Sequence, residues 1–214
     1  MTRLAIFDFD GTLADTQRNI VVTFQDTMRK LGLPVAETDV CAATIGLPLS
    51  EGFLKIYPSM SPELVERCAE TYLELFEVNK KIIKPQLFPY VLNSLSRLKE
   101  RGVRMSIASS RNKTSLEEFA RDMELAPFMD YILSADDVVK AKPNPEPVLK
   151  TLEALNESPE NTIVVGDMDV DILMGNRAGC KTIGVTYGNG SKSELETSNA
   201  DFIIDSFNQI TDII

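Results

Sequence analysis

The chain has 214 residues, 43% of them apolar, and its 32 acidic against 22 basic side chains give a formal charge of −10. A surface this acidic repels nucleic-acid phosphates and anionic lipid headgroups, so neither is an expected partner. Histidine is absent from the sequence, which excludes Ser-His-Asp triads and imidazole zinc sites and leaves carboxylates, hydroxyls and lysines for any catalysis.

Short apolar runs rich in β-branched residues predict the strands of a sheet. Each run is followed by a turn and a helix-like stretch, and this alternation indicates a parallel α/β fold. Nearly continuous runs such as LAIF and TIVV are typical of strands buried on both faces. We therefore expect an α/β protein with a Rossmann-like parallel sheet, whose strands are Leu4–Phe9, Val103–Ala108, Thr162–Val165, Thr182–Val185 and Asp201–Ile204.

About ninety residues separate the first two predicted strands, which is far more than one crossover helix requires. The segment shows several helical patterns and no convincing strand. Its longest helix is predicted to start at Ser61 as N-cap, with Pro62 in the first turn. The apolar side chains expected to be buried along this helix are Leu64, Cys68, Tyr72, Leu75 and Phe76.

These patterns predict a two-domain organisation. The core would comprise residues 1–15 and 87–214, and an inserted all-helical cap domain would comprise residues 16–86, called the insertion below. Turn-forming residues place the expected hinges near Ala14–Gln17 and Lys84–Pro89, ahead of a helix over Tyr90–Arg101.

The remaining features predict a cytoplasmic protein. No stretch approaches the roughly 20 apolar residues of a membrane helix, and the N-terminus MTRLAIFDFD is charged where a signal peptide would be apolar. The three cysteines, Cys41, Cys68 and Cys180, form no CxxC pair and are odd in number, as expected of reduced thiols.

The segment DFDGTL ends the first predicted strand with two carboxylates, Asp8 and Asp10. Parallel sheets bind ligands at the carboxyl ends of their strands. In extended chain these two side chains face the same way about 6.6 Å apart, so they could flank one substrate atom or share one cation. Taken alone, the segment is equally consistent with a solvated turn.

Two further elements supply groups that suit a phosphate. Ser109 and Ser110 end the second predicted strand, where their hydroxyls could bind phosphoryl oxygens or simply cap the next helix. Lys142 precedes a helix predicted over Glu146–Leu155. Its ammonium could offset the charge of an aspartate and a phosphate, although an isolated lysine is more often a solvated surface residue.

A last pair of acids follows the strand that begins at Thr162. Asp167 comes directly after it, and Asp171 lies one helical turn further on. Together with Asp8 they could complete a Mg²⁺ site. Acidic side chains are also favoured at a helix N-terminus because they interact with the helix dipole. This alternative explanation applies best to the neighbouring acid, Asp169.

Taken in order, DFDGTL, the serine of SIASS, the lysine of KAKPNP and GDMDVD resemble the four motifs of the haloacid dehalogenase-like hydrolases. This resemblance covers nearly the whole chain. The position of the insertion is similar to the helical cap of the phosphoglycolate phosphatase-like branch. The resemblance implies a phosphatase acting on a small phosphorylated metabolite, phosphoglycolate-like or a sugar phosphate.

The resemblance also implies roles for the site residues. Asp8 would be the nucleophile, and Mg²⁺ would be held by Asp8, by the backbone oxygen of Asp10 and by Asp167. Thr12 and Asp171 would support these ligands without touching the metal.

The second carboxylate of DFDGTL, Asp10, is expected to handle the protons of the reaction. An alkoxide leaves poorly, so Asp10 would protonate it as general acid and then activate water as the base. Ser109, Ser110 and Lys142 would bind the phosphoryl group. Specificity is expected from the insertion, around Ile45–Leu47.

Two alternatives remain at this point. A hexose-phosphate mutase similar to beta-phosphoglucomutase shares Asp10 and the cap. That branch, however, usually has Glu-Asp where this chain has Gly166 and Asp167, and a basic residue in the loop corresponding to residues 44–48. A non-enzymatic phosphate-sensing module is the more distant alternative, since it too combines an aspartate, a hydroxyl and a lysine on a parallel sheet.

Overall fold

The computed structural model describes residues 2–214. Its eight strands are β1 (Leu4–Phe7), β2 (Ala14–Asp15), β3 (Gln86–Leu87), β4 (Arg104–Ala108), β5 (Tyr131–Leu133), β6 (Thr162–Gly166), β7 (Lys181–Val185) and β8 (Phe202–Ile204). Its α-helices are α1 (Gln17–Lys30), α2 (Thr38–Ala42), α3 (Leu49–Ile56), α4 (Pro62–Ile82), α5 (Val91–Glu100), α6 (Lys113–Asp122), α7 (Glu146–Leu155), α8 (Asp169–Arg177), α9 (Lys192–Thr197) and α10 (Ile210–Ile213).

Six strands form one sheet in the order β5-β4-β1-β6-β7-β8, and every neighbouring pair is parallel. If β2 and β3 are left out and the six remaining strands are numbered 1 to 6 along the chain, the order becomes 3-2-1-4-5-6. This is the strand order of doubly wound nucleotide-binding sheets. The strand order reverses between β1 and β6, and the crevice outside such a reversal is where these sheets bind ligands. The predicted α/β class with a Rossmann-like parallel sheet is confirmed.

The five predicted strands all form, with shifted ends. β1 stops at Phe7 instead of Phe9 because the chain turns there, with the amides of Leu13 and Ala14 both donating to the carbonyl of Phe9. Strand β5 was not predicted, because its three residues are too few to show a distinct pattern.

The insertion carries α1 to α4, as expected of a helical segment. The expectation that no strand occurs between β1 and β4 was wrong, because β2 and β3 form a two-stranded antiparallel ribbon pairing Ala14 with Leu87 and Asp15 with Gln86. Each strand has two residues, and they pair only because the outgoing and returning chains run side by side. The division into two domains with hinges at this ribbon stays a prediction.

Helix α4 begins as predicted, with the Ser61 hydroxyl accepting a hydrogen bond from the Leu64 amide at 3.3 Å. Three of the five residues predicted to be buried along this helix are buried, whereas Leu64 and Leu75 are only half-buried. The observed face follows one stripe at spacings of three and four, and both leucines lie next to that stripe. The buried residues are Val65, Cys68, Tyr72, Phe76 and Asn79.

An aromatic cluster forms the interior of the insertion. Phe53 of α3 is fully buried, with its ring 4.8 Å from that of Phe24 and 6.3 Å from that of Tyr72, between centroids. Removing a buried phenyl ring leaves a cavity and lowers the free energy of unfolding by about 3–5 kcal/mol. We therefore expect Phe53→Ala to lower the urea midpoint strongly.

The neighbouring Leu54 provides the control for this measurement. It lies on the same helix with 39% of its surface exposed, so Leu54→Ala should change the free energy of unfolding by less than about 1 kcal/mol. Equal losses in the two variants would contradict a packed interior at Phe53.

Two predictions about the chain's surroundings can be compared with the structure. Among residues 2–214, no helix is both long and apolar enough to cross a membrane. Cys41, Cys68 and Cys180 are all buried and unpaired with one another, as expected of reduced thiols.

Candidate active site

The carboxyl ends of three adjacent strands bring Asp8, Ser109 and Asp167 to one edge of the sheet. These residues directly follow β1, β4 and β6, and all three are buried. The Asp8 amide donates to the Val165 carbonyl at 2.9 Å, which extends the β1–β6 ladder to Asp8. The site therefore lies where the strand order reverses.

Lys142 occupies the centre of this edge, although it comes from the loop before α7. Its ammonium donates to Asp8 Oδ1 at 2.5 Å and to Asp171 Oδ1 at 2.7 Å, and only 2% of its side chain is exposed. The alternative of a solvated surface lysine is thereby excluded. Burial alone would lower the pKa of Lys142, but the carboxylates of Asp171 and Asp8 outweigh burial and raise it.

Three buried carboxylates share this edge, since Asp8, Asp167 and Asp171 each place an oxygen within 4.8 Å of the others. Burial raises the pKa of Asp8 well above its ordinary value; Lys142 opposes this effect, and the neighbouring carboxylates add to it. Burial together with the charge of Asp171 raises the pKa of Asp167 to about 7. Mutual repulsion and lost hydration therefore disfavour the charged forms of these acids.

The donor set fits a hard divalent cation. Three carboxylates face one ammonium, which leaves excess negative charge in a buried space. Only oxygen ligands are present, the type that Mg²⁺ prefers. The backbone oxygen of Asp10 lies 3.5 Å from the side-chain nitrogen Nδ2 of Asn189. The same nitrogen lies 3.0 Å from Asp167 Oδ2. The predicted metal ligands thus lie in one neighbourhood, together with Asp171.

Asp167 is held by partners on both of its oxygens. Thr12 donates to Oδ1 at 3.1 Å, and its role in supporting a metal ligand stays a prediction. Asn189 donates to Oδ2 from its backbone amide at 2.7 Å and from its side chain. Asn189 was not predicted as a site residue; its position after β7, at the same sheet edge, was the available signal.

Two glycines allow this close packing. Gly11 has a φ of +91°, and a Cβ added there would lie 2.1 Å from Asp167 Oδ2. A Cβ on Gly188 would lie 2.3 Å from the Asp167 Cβ. The chain approaches Asp167 from both sides because neither position carries a side chain.

The side chain of Asp10 has different surroundings from that of Asp8. Its Oδ1 accepts from Arg111 Nε at 3.1 Å, from Arg111 Nη2 at 2.6 Å and from the Thr16 hydroxyl at 2.6 Å. Its Oδ2 has no donor within residues 2–214. Arg111 was not predicted, although it stands only two residues beyond Ser109 at the same edge.

The two predicted serines make different contacts. Ser109 Oγ accepts from the Arg111 amide at 3.2 Å, so its hydroxyl proton remains available to an incoming oxygen. Ser110 Oγ instead donates to the carbonyl of Gly46, at 2.7 Å, and links the core to the insertion. Asp171 accepts from the Met168 amide through Oδ2 while its Oδ1 holds Lys142, so it orients that lysine.

Comparisons with known proteins agree with this arrangement. Residues 5–185 match the family model of the haloacid dehalogenase-like hydrolases. The chain is 34% identical to a protein named probable phosphatase IndB from Dickeya dadantii, over 98% of this chain and 92% of the other. It is 31% identical to a phosphoglycolate phosphatase from Aquifex aeolicus, over 87% and 85%. It is 30% identical to the pyrophosphatase PpaX of Anoxybacillus flavithermus, over 98% and 95%.

Solved structures show the same fold. One described as a haloacid dehalogenase-like hydrolase from Bacteroides fragilis superimposes with a TM-score of 0.91 at 30% identity, covering 98% of this chain and all of the other. A family member from Streptococcus pneumoniae gives a TM-score of 0.88 at 23% identity, over 99% and 98%. The chain therefore belongs to the haloacid dehalogenase-like hydrolases, and it is a phosphatase.

Proposed function

We propose that this phosphatase is magnesium-dependent and hydrolyses a small phosphate ester through a phosphorylated Asp8. The observation that carries the proposal is the contrast between its two neighbouring carboxylates. Asp8 is buried and held by an ammonium, whereas Asp10 is held through one oxygen and keeps the other free. Two acids with such different surroundings suit two different chemical tasks.

In the first half-reaction, a carboxylate oxygen of Asp8 attacks phosphorus, and the bond from phosphorus to the leaving oxygen breaks. Lys142 offsets the negative charge that the carboxylate and phosphate bring together. Mg²⁺ held by Asp8, Asp167 and the backbone oxygen of Asp10 would supply further positive charge to the phosphoryl oxygens. The Ser109 hydroxyl donates to one of these oxygens.

Asp10 handles the protons in both half-reactions. Its Oδ2 gives a proton to the departing alkoxide, since an alkoxide is a poor leaving group. The resulting carboxylate then takes a proton from the water that attacks the aspartyl phosphate. Phosphorus separates from Asp8, whose carboxylate is regenerated, and Asp10 again carries its proton.

The proposed class of substrate is taken from the names of similar proteins. Proteins named phosphoglycolate phosphatase and pyrophosphatase both act on small phosphorylated compounds, and we extend that class to this chain. With a net charge of −10, the protein would not bind nucleic acid or anionic membranes. The free thiols suit the cytoplasm.

The test is phosphate release from phosphoglycolate, pyrophosphate, sugar phosphates and ethyl phosphate, with Mg²⁺, with Ca²⁺ and with a chelator. We expect release with Mg²⁺ and loss of at least about 10³-fold with chelator, because without Mg²⁺ the three buried acids and the incoming phosphate have only Lys142 as a counter-charge. Release that persists in chelator would contradict the metal dependence. Interconversion of hexose phosphates without phosphate release would instead identify a mutase.

A further inference from the structure

A cavity of about 100 Å³ opens beside Asp10, between the insertion and the core. Its two charged lining residues are Asp10 and Arg111, and Arg111 supplies the positive charge. The loop Ile45–Leu47, expected to set specificity, does line it, but with apolar side chains and a backbone turn. Most of the wall is apolar, formed by Ile20, Phe24, Ile45, Leu47, Tyr72 and Phe76.

The Arg111 side chain is fixed in place and nine-tenths buried. Its guanidinium carbon lies 4.9 Å from the ring centres of both Phe76, on α4 of the insertion, and Phe119, on α6 of the core. Nη1 also donates to the Ser115 hydroxyl at 3.1 Å. A guanidinium held between two aromatic faces keeps one orientation and loses little freedom when it binds a ligand.

Arg111 has more N–H donors than it has acceptors in contact with it among the described residues. A guanidinium carries five N–H groups. Asp10 accepts two of them, from Nε and Nη2, and Ser115 accepts one from Nη1. Two therefore remain without an acceptor within residues 2–214, one on each terminal nitrogen. These two N–H groups are therefore available to a ligand in the cavity that Arg111 lines.

We infer that Arg111 binds a second anionic group, carried by the leaving group of the substrate. The inference rests on the proposed function, because it places the phosphoryl group at Asp8 and the leaving oxygen at Asp10. Two N–H groups of one guanidinium match two oxygens of a carboxylate or a phosphate. Arg111 then selects substrates with a compact anionic leaving group.

The size of the cavity narrows the class further. At about 30 Å³ per water molecule, it holds the volume of roughly three waters. A carboxymethyl group or an orthophosphate is of this order.

A purely structural role for Arg111 makes a different prediction. If the side chain only orients Asp10, its loss must slow equally two substrates whose leaving oxygens are equally basic. If it also binds the leaving group, its loss must slow anionic leaving groups selectively. The ratio between a charged and an uncharged substrate therefore separates the two roles.

The experiment compares phosphoglycolate with its carboxamide, an uncharged compound of the same shape, in the Mg²⁺-loaded enzyme. We expect kcat/KM to favour the carboxylate by about 10- to 100-fold, and Arg111→Met to bring this ratio close to one. Thr16→Val removes a different donor to Asp10 and should lower both rates while keeping the ratio. A ratio near one in the unaltered enzyme, or its survival in Arg111→Met, would overturn the inference.

A binding measurement keeps the inference testable apart from turnover. Calorimetric titration with 3-phosphonopropanoate and with 3-phosphonopropanamide, which cannot be hydrolysed, should show about tenfold tighter binding of the carboxylate. Equal affinities would overturn the inference even if phosphate is released normally. Absence of phosphate release from every substrate would overturn the proposed function, while tighter carboxylate binding would still support the anion subsite.

A comparison with pyrophosphate tests whether Arg111 binds a phosphate, a carboxylate or both. Its leaving group is a phosphate, whereas that of phosphoglycolate carries a carboxylate. A loss of at least about tenfold for both in Arg111→Met, relative to ethyl phosphate, supports one subsite for either anion. A selective loss for one of them identifies that anion as the one bound, and an equal loss for all three substrates overturns the subsite.

Discussion

Asp8→Asn should lower the rate of phosphate release by at least about 10⁴-fold, because an amide cannot form the aspartyl phosphate. The substitution preserves the size of the side chain and leaves an oxygen to accept from Lys142. It also removes one of three mutually repelling carboxylates. The protein should therefore stay folded, and the loss should appear in kcat with unchanged circular dichroism and thermal midpoint.

Asp122→Asn is the matched control, since this aspartate lies at the end of α6 with its side chain 67% exposed. The same chemical change there should leave the rate within about twofold, as surface substitutions away from a site usually do. If Asp8→Asn kept more than about a hundredth of the native rate, a nucleophilic role for Asp8 would be wrong.

Lys142→Met should strongly lower the stability of the protein. It leaves Asp8 and Asp171 buried together without the ammonium that both contact. Removing one partner of a buried ionic group typically lowers the free energy of unfolding by about 3–5 kcal/mol. Urea unfolding in the presence of chelator, where no cation can replace the lysine, measures this loss.

Two further variants sharpen the test of Lys142. Lys30→Met breaks an ion pair with Glu74 in which the two side chains are 50% and 69% exposed, so its effect should stay below about 1 kcal/mol. Adding Asp171→Asn to Lys142→Met removes one unpaired charge and should recover part of the lost stability. A Lys142→Met protein as stable as Lys30→Met would contradict an electrostatic role for the buried cluster.

The relatives decide one of the alternatives left open by the sequence. A non-enzymatic sensing module shares the aspartate, hydroxyl and lysine, but the family model spans residues 5–185 and several relatives are named as phosphatases. The mutase alternative is addressed by the assays above.

The local sequence determined the sheet and most of the proposed site. Buried parallel strands are apolar along their whole length, so LAIF and TIVV marked β1 and β6 without any tertiary information. Parallel strands also end at one edge, so the residues after these runs, Asp8 and Asp167, could be placed together from order alone. The capping of α4 by Ser61 was equally local, because a cap depends on residues three apart.

Only the tertiary structure decided which side chains act on one another. The Asp8–Lys142 contact joins residues 134 apart, and the Asp10–Arg111 contact joins residues 101 apart. Nothing in the neighbouring sequence shows that Arg111 would lie buried between two rings, one of them from the insertion. Burial, charge balance and the surplus of donors on Arg111 arise from packing distant segments together, so the sequence indicated the proposed chemistry at Asp8 while the fold determined the surroundings of Asp10 and Arg111.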